Sequence, residues 1–372
     1  MIIALFMVLI PTVLDVGDGK AFARIEDAVR ASHPGDEIRV FPKAVGYVRS
    51  AVLIRTPGLK IVGQGRVKID GSGFEYSGAG SVPRAIFQVE PGADGVEIDN
   101  FELVGASNAS HNGAGLRINA ANHCTMRNCS VHGNNMGVMS AGSVGDNLAA
   151  SDQLIDHCEI YENGDFGDPG YNHNLYLGGT SATVQFCDIH DALTGHNLKS
   201  RAHYTLVQYC SIHDSANREM DFVDAWDTER PYSNVVLIGN VIRKSKAAKG
   251  NRTVIHFGIE QGKRDGTIYL IHNDIVTPFV SPVVQISSPM TSAQLFSNQI
   301  ECVGQSHPVL VDGLARGSRN VISPNYDLSR YRFGTGASFF VDGTGAHRRG
   351  IPLYRYSHGA WKPTTDQFVG AG

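Results

Sequence analysis

A short sequence pattern recurs eight times along the chain, and its spacing constrains the fold more than any other feature. Four copies carry cysteine at the marker position, as in RNCSVHGN (127–134) and QYCSIHDS (208–215), and the others carry asparagine. Most copies place Ile or Val two residues after the marker, which is the alternation of a short strand. Consecutive markers are 23 to 33 residues apart. The marker positions are Asn100, Cys129, Cys158, Cys187, Cys210, Asn240, Asn273 and Asn298.

A repeat of this length without helical periodicity leaves few architectures. A leucine-rich repeat would show L-x-x-L-x-L, which is missing, and a propeller blade needs about 40 residues or more. The pattern predicts an all-β fold, a single-stranded right-handed parallel β-helix of about ten coils with three short strands per coil. Equivalent inward side chains then stack about 4.8 Å apart on successive coils.

The cysteines fit this architecture as structural residues. None of the six is in a C-x-x-C arrangement, so the spacing of a metal finger is absent. Disulfides or a row of metal ligands are the alternatives. Both are disfavoured because in-register parallel neighbours hold Cβ atoms slightly too far apart for easy bridging.

The two ends of the chain differ from the repeat. Residues 1–14 are apolar but too short to span a bilayer, and we interpret them as a possible signal remnant or, alternatively, an N-terminal strand. We assign residues 15–315 to the β-helix, with a short capping helix within Phe22–Ser32 that covers the open strand edge. Residues 316–372 are expected to form a C-terminal cap. The expected location is secreted or periplasmic.

Composition excludes some classes of function. Only 18% of residues are charged, the formal net charge is −4, and no block of Lys or Arg occurs. A nucleic-acid binder needs a concentrated basic face, so we expect no nucleic-acid partner. No other stretch approaches membrane length, so we also expect no membrane span. The oligomeric state stays open.

Several segments carry a family resemblance. FARIEDAV, PGDEIRV, LKIVGQG and IDGSG look like the opening of the pectin-lyase-like superfamily of right-handed parallel β-helices. NGAGLRI, YNHNLYLGG and GHNLKSRA, then EMDF and HFGIEQG, are similar in order to bacterial proteins known only as right-handed parallel β-helix repeat proteins. The resemblance covers roughly residues 15–300 and implies the fold. The superfamily includes lyases, hydrolases, esterases, epimerases and adhesins, so fold alone does not imply one activity.

Aligning the coils predicts where polar chemistry is concentrated. Leu175, Leu198, Met220 and Ile255 are expected to form one inward ladder, and strand alternation then turns their flanking residues outward. This outward patch is improbable as plain surface in a chain with so few charges. The flanking residues are Tyr176, Lys199, Asp221 and His256 on one side, Asn174, Asn197 and Glu219 on the other, and then His173, His196 and Arg218.

The patch also has a purely structural interpretation. His173 and His196 could bond turn carbonyls, and the two asparagines could support turns. Lys199 and Asp221 could be a cross-strand ion pair, which at an exposed site is worth about 0–1 kcal/mol. We favour function because these groups occur together.

The pattern favours a lyase that cleaves an acidic, uronate-containing polysaccharide. Such β-elimination needs neutralisation of the sugar carboxylate, a base for the C5 proton and an acid for the leaving oxygen. Lys199 followed by Ser200 resembles the Lys-Ser pair of alginate- and chondroitin-cleaving β-helix lyases, which implies that Lys199 is the base. In those enzymes an arginine follows one coil later, which points to Arg218.

Calcium is the expected cofactor, if there is one. It takes six to eight oxygen ligands. We predict Asn174, Asn197 and Glu219 as its ligands.

Two alternative functions remain. The first is a glycoside hydrolase or epimerase. Glu219 and Asp221 are two residues apart, which places their Cα atoms about 6.6–6.8 Å apart on a strand. This falls within the range of about 6.5–9.5 Å for an inverting carboxylate pair. The second is a non-catalytic glycan-binding or surface β-helix whose aromatic side chains stack on sugars. The predicted catalytic residues are Lys199, Arg218, His196, Tyr176, Asp221 and His256. The predicted substrate-binding residues are His173, Arg201, Trp226, Tyr171 and Glu260.

Overall fold

The chain forms a parallel β-helix. The computed structural model describes residues 11–279, 281–302, 309–323, 326, 328, 331–334, 351–357 and 360–368. Among these residues there is one α-helix, α1 (Ile25–Ala31), and one 3-10 helix, Trp226–Glu229. None of the described helices is long and apolar enough to cross a bilayer.

The remaining regular structure consists of short strands. In chain order they are β1 Val13–Val16, β2 Glu37–Val40, β3 Tyr47–Val48, β4 Val52–Ile54, β5 Lys60–Asp70, β6 Ala85–Val89, β7 Glu97–Val104, β8 Ala114–Asn119, β9 Thr125–Arg127, β10 Ser130–His132, β11 Met136–Ala141, β12 Gln153–Asp156, β13 Glu159–Tyr161, β14 Leu175–Leu177, β15 Ser181–Gln185, β16 Asp188–His190, β17 Leu198–Ser200, β18 Tyr204–Gln208, β19 Ser211–His213, β20 Met220–Phe222, β21 Val235–Ile238, β22 Val241–Arg243, β23 Ile255–Phe257, β24 Gly266–Ile271, β25 Asp274–Thr277, β26 Val284–Ile286, β27 Thr291–Phe296, β28 Gln299–Cys302, β29 Val311–Asp312, β30 Ala315–Ser318, β31 Val321–Ile322, β32 Arg332–Gly334, β33 Ile351–Ser357 and β34 Ala360–Phe368.

Successive coils pair in parallel, strand upon strand. One face is a ten-stranded sheet, β4-β6-β8-β11-β14-β17-β20-β23-β26-β29. The other two faces are the ladders that run from β9 through β12, β15 and β18, and from β10 through β13, β16 and β19. A coil such as β14, β15 and β16 therefore contributes one strand to each face, as the repeat predicts.

The marker positions form an internal ladder. Cys158, Cys187 and Cys210 are buried, and none of the six cysteines, all of which lie in the described part of the chain, forms a disulfide. Burial raises the pKa of the Cys158 and Cys187 thiols, which keeps them protonated. On the next coils the amide of Asn240 donates to Asn273 over 2.9 Å, and Asn273 donates in turn to Asn298 over 3.0 Å. The structural interpretation of the cysteines is confirmed.

The first position of this ladder is Phe101, one residue after the predicted marker Asn100. Ser130 pairs with Glu102, so the residue opposite Cys129 is Phe101, not Asn100. Asn100 instead adopts φ 67°, the left-handed conformation that Asn128 also has at φ 52°. Both residues make the corner before the ladder position, and asparagine tolerates this conformation better than most residues.

A second ladder of polar side chains runs inside the corner that precedes the ten-stranded sheet. The amide of Asn163 donates to Asn174 over 2.9 Å, that of Asn174 to Asn197 over 2.8 Å, and that of Asn197 to Glu219 over 2.7 Å. Glu219 ends the row beside the fully buried side chain of Lys244, 3.5 Å away. These bonds satisfy groups that would otherwise be buried without partners.

At the N-terminal end, α1 lies within the expected segment Phe22–Ser32. Its buried residues Ile25, Ala28 and Val29 share one face, the spacing of an amphipathic helix. They belong to the continuous hydrophobic core. Residues 1–10 of the expected signal remnant lie outside the described residues, while Val13 and Leu14 belong to β1. Much of the expected cap, residues 316–372, also lies outside them; its antiparallel pair β33 and β34 is described.

The internal asparagine ladder is predicted to stabilise the helix. Asn197→Ala removes the acceptor for the Ala192 N–H and the donor to Glu219. Because each buried polar group left without a partner costs about 1–3 kcal/mol, the free energy of unfolding should fall by about 2–5 kcal/mol in urea denaturation. The control, Asn147→Ala, changes an exposed asparagine and should stay within about 0.5 kcal/mol of wild type. Equal losses in both variants would contradict the role of the ladder.

Candidate active site

One outward column of the ten-stranded sheet carries ionisable side chains. Tyr176, Lys199, Asp221 and His256 occupy equivalent positions on β14, β17, β20 and β23, in the register that the sequence predicts. The inward ladder of Leu175, Leu198, Met220 and Ile255 is buried beneath them. A column of aligned residues results because the register does not shift between these coils.

Asp221 is the centre of this column. Its Oδ1 accepts hydrogen bonds from Nδ1 of His256 at 2.7 Å and from Arg218 at 3.3 Å. Its Oδ2 lies 3.3 Å from Nε2 of His196 and 3.8 Å from Nζ of Lys199. Burial alone would raise the pKa of Asp221, but the two histidines hold it well below its usual value. The carboxylate is therefore ionised.

Backbone hydrogen bonds determine the tautomers of the two stacked histidines. Their rings are parallel within 9°, with centroids 5.0 Å apart. The N–H of His196 donates to Nδ1 of His173, and the N–H of Arg218 donates to Nδ1 of His196. Each ring therefore carries its proton on Nε2, which in His196 faces Asp221. Burial lowers the pKa of both imidazoles, so they are neutral at neutral pH.

Glu260 bridges the two cations at the edge of the column. Its carboxylate lies 3.0 Å from Nζ of Lys199 and also contacts the guanidinium of Arg201. Burial would raise the pKa of Glu260, but the charges of Lys199 and Arg201 lower it. Asp224 holds the turn that carries Glu260, because its carboxylate accepts the backbone N–H groups of Glu260, Gln261 and Gly262.

These groups border a cavity of about 430 Å³. Its other walls come from the loops that precede β8 and β14 and from Met136 and Met139 of β11. Tyr171 is 74% exposed at its rim. The predicted site residues that line it are Tyr171, His173, Tyr176, Lys199, Arg201 and Glu260.

The other predicted residues lie elsewhere. Asp221, His196 and His256 are buried beside the cavity, and the partly buried Arg218 joins their network; none of the four is among the described residues that line the cavity. Arg218 is held by Thr253 and Gln285, at 3.0 Å and 3.1 Å. Trp226 lies in the 3-10 helix, half-buried, and is not among the described residues that line the cavity.

Asn174, Asn197 and Glu219 do not face outward, which corrects the sequence prediction. Each lies immediately before a strand, where the chain turns a corner, so two successive residues such as Asn174 and Leu175 both point inward. Strand alternation does not extend through the corner. Glu219 is fully buried, and burial raises its pKa to about 7. It cannot reach a substrate, so the prediction that Glu219 and Asp221 form an inverting carboxylate pair is also wrong.

This side-chain set does not fit a calcium site. The oxygens of Asn174 and Asn197 already accept hydrogen bonds from Asn163 and Asn174, and Glu219 accepts one from Asn197. Calcium takes six to eight oxygen ligands, and none of these three side chains is open to solvent. Among the described residues no group of three or more His, Cys, Asp or Glu is arranged to hold a metal ion.

Sequence reasoning missed Asp224 and Ser287. The hydroxyl of Ser287 lies 2.6 Å from Nε2 of His256. Neither residue stands in a recognisable motif, since Asp224 follows β20 in an insertion and Ser287 follows β26. The loop inserted after β20 was the one signal for Asp224, because loops beside a rigid scaffold frequently carry function.

Comparisons with known proteins agree with this architecture. No family model and no curated protein matches the sequence. Among solved structures, an alginate lyase from Paenibacillus sp. str. FPU-7 is 15% identical with a TM-score of 0.52, over 87% of this chain and 98% of that one. Pectate lyase Pel9A is 12% identical with a TM-score of 0.51, over 95% and 92%. DFA-IIIase from Arthrobacter chlorophenolicus A6, without its lid, is 13% identical with a TM-score of 0.53, over 88% and 99%.

The chain has the parallel β-helix fold of these three proteins. The fold that the sequence resemblance implies is confirmed, and identities of this size show the fold alone. On this β-helix, the ionisable column and the cavity beside it are the candidate active site.

Asp221 is predicted to stabilise the network through its charge. Its pKa in the folded state is below the unfolded value of 3.8, so its contribution is present above that pH and is lost as the pH falls through the folded pKa. At neutral pH Asp221→Asn should lower the free energy of unfolding by roughly 3 kcal/mol, because it leaves buried cationic partners uncompensated. In urea titrations from neutral pH down to about pH 3, the difference from wild type should shrink below about pH 4.

Asp18→Asn serves as the control, because the Asp18 side chain is 80% exposed. It should change stability by less than about 0.5 kcal/mol. A loss for Asp221→Asn that stays the same down to the lowest pH would contradict the role of the ionised carboxylate.

Proposed function

We propose that the protein is a polysaccharide lyase that cleaves a uronate-containing chain by β-elimination in the cavity beside Lys199. The observation that carries this proposal is the position of Glu260, whose carboxylate bridges Lys199 and Arg201 at the cavity. In the proposal, a sugar carboxylate takes the place of Glu260 between the two cations. An alginate lyase and a pectate lyase with the same fold are consistent with this chemistry.

The charge balance favours an anionic ligand. The site has three basic side chains, Lys199, Arg201 and Arg218, and two carboxylates, Asp221 and Glu260. Asp221 is committed to its buried network, which leaves Glu260 as the one that a substrate displaces. Arginine binds a carboxylate through two parallel N–H groups, so Arg201 would hold the uronate and make its C5 proton more acidic.

Lys199 is the proposed base and Tyr176 the proposed acid. In the proposed reaction the substrate carboxylate displaces Glu260 and pairs with Arg201, and the amine of Lys199 removes the C5 proton. Tyr176 occupies the adjacent rung. Burial raises the pKa of Tyr176, so its hydroxyl keeps its proton at neutral pH and donates it to the leaving oxygen.

His173 would orient the sugar rather than take the proton. Its Nδ1 accepts the N–H of His196, so the nitrogen left for the cavity is a donor. Tyr171, at the rim, offers a ring for stacking on a sugar. A glycan-binding module would use the same rim, but it would not need Lys199 and Tyr176 on neighbouring rungs.

Lys199→Met should abolish elimination. We expect the rate to fall at least about 100-fold, the usual contribution of a general base. The measurement is the ultraviolet absorbance of the unsaturated product from alginate and from polygalacturonate. Lys199→Arg keeps the positive charge and should retain binding while losing turnover.

Lys68→Met is the matched control. Lys68 is paired with a glutamate like Lys199, but its side chain is 45% exposed on a different face. It should leave turnover unchanged. Undiminished absorbance from Lys199→Met would refute the assignment of the base. New reducing ends without absorbance in the wild type would indicate a hydrolase, and binding without cleavage would indicate a glycan-binding protein.

Glu260→Gln tests whether Glu260 occupies the position of the substrate carboxylate. Removing this internal competitor should lower KM for an acidic polysaccharide by up to about fivefold, equivalent to roughly 1 kcal/mol at a half-exposed ion pair. Steady-state kinetics at low and high salt would measure the change. An increase in KM would show instead that Glu260 holds the cations in place for the substrate.

A further inference from the structure

Asp221, His256 and Ser287 form a continuous hydrogen-bonded row. Oδ1 of Asp221 is 2.7 Å from Nδ1 of His256, and Nε2 of the same ring is 2.6 Å from Oγ of Ser287. The lyase proposal uses neither His256 nor Ser287. Carboxylate, imidazole and hydroxyl in this order are the parts of an activated serine nucleophile.

The hydrogen-bond donors and acceptors in this row are arranged as an activated serine requires. Asp221 is ionised and accepts only, so Nδ1 of His256 must donate to it. Nε2 is then the bare nitrogen, and at 2.6 Å it is a nearer acceptor for the Ser287 hydroxyl than the carbonyl of Ile259 at 3.2 Å. Asp221 and His256 are 3% and 6% exposed, whereas Ser287 is exposed. The base is therefore shielded while the nucleophile is open to a substrate.

The surrounding backbone holds Ser287 in place. Its N–H donates to the carbonyl of Phe257 over 3.2 Å, and its Oγ accepts the N–H of Ile259 over 3.0 Å. Gly258 lies between these two residues. A Cβ at Gly258 would sit 2.3 Å from Oγ of Ser287, so only glycine allows this approach.

We propose that Ser287 is the nucleophile of a second catalytic site, which hydrolyses acyl esters on sugar hydroxyls. Oγ of Ser287 attacks the ester carbonyl carbon and forms a new C–O bond, while its proton passes to Nε2 of His256. The C–O bond to the sugar then breaks, and the sugar oxygen takes that proton from His256. Water, activated by His256, hydrolyses the acyl-serine and releases a carboxylic acid.

Asp221 has a defined role in this reaction. It orients His256 and stabilises the imidazolium that forms when the serine proton is taken up. The N–H of Ile259 donates to Oγ of Ser287 and so fixes the position of the nucleophile.

The position of Ser287 suggests a carbohydrate ester as substrate. Ser287 directly follows β26, three strands along the same sheet from β17, which carries Lys199. At about 4.8 Å per strand this is about 14 Å. A polysaccharide lying along the sheet would pass both sites, so the ester could be on the chain that is cleaved. This choice of substrate rests on the proposed lyase function, whereas the nucleophilicity of Ser287 does not.

The experiment is covalent labelling of the full chain with a fluorophosphonate, followed by mass spectrometry. We expect one adduct, on Ser287, and release of acetate from an O-acetylated polyuronate. Ser287→Ala should lose both signals. His256→Gln should reduce the labelling rate at least about 1,000-fold, as expected when the base of such a row is lost.

Controls separate this proposal from the lyase. Ser81→Ala changes another exposed serine and should label as wild type does. Lys199→Met should lose elimination but keep the Ser287 adduct, and Ser287→Ala should keep elimination. If His256→Gln does not fold, Ser287→Cys replaces it as the test, and its thiol should react with iodoacetamide much faster than that of free cysteine. Absence of the adduct, or equal labelling of wild type and His256→Gln, would overturn the proposal.

Discussion

In-register stacking of successive coils is the constraint on which the rest of this structure depends. Each strand pairs with its equivalent one coil away, so any residue type repeated at one position becomes a row along the molecule. Inside, the rows are apolar ladders and two amide ladders, in which Asn197 and Asn273 each bond the next coil. The ladders satisfy interior polar groups of the β-helix, and a buried polar group left without a partner is costly.

The same register produces the site. Tyr176, Lys199, Asp221 and His256 are far apart in sequence, yet they are adjacent because three coil steps place them on neighbouring strands. The interior ladder keeps these strands from slipping, since a one-residue shift would send every side chain to the opposite face. Stability and chemistry therefore rely on the same pairing.

Burial divides the ionisable groups into two kinds. Asp221 lies in a desolvated network where histidines hold its charge, and it organises its neighbours. Lys199 and Arg201 meet at the cavity edge, where Glu260 is within reach of both and half-exposed. A substrate carboxylate can therefore replace Glu260 but not Asp221, because displacing the buried carboxylate would leave a buried charge uncompensated.

The sequence by itself determined the repeat, the parallel β-helix, the inward ladder and the outward column from Tyr176 to His256, because these follow from strand periodicity. Only the tertiary structure decided which way the side chains point at the corners. Alternation fails where the chain turns, so Asn174 and Glu219 point inward although strand alternation predicts that they point outward. The tertiary structure also brought Glu260 and Ser287 to the column from loops after the strands, where no periodicity exists to predict the direction of a side chain.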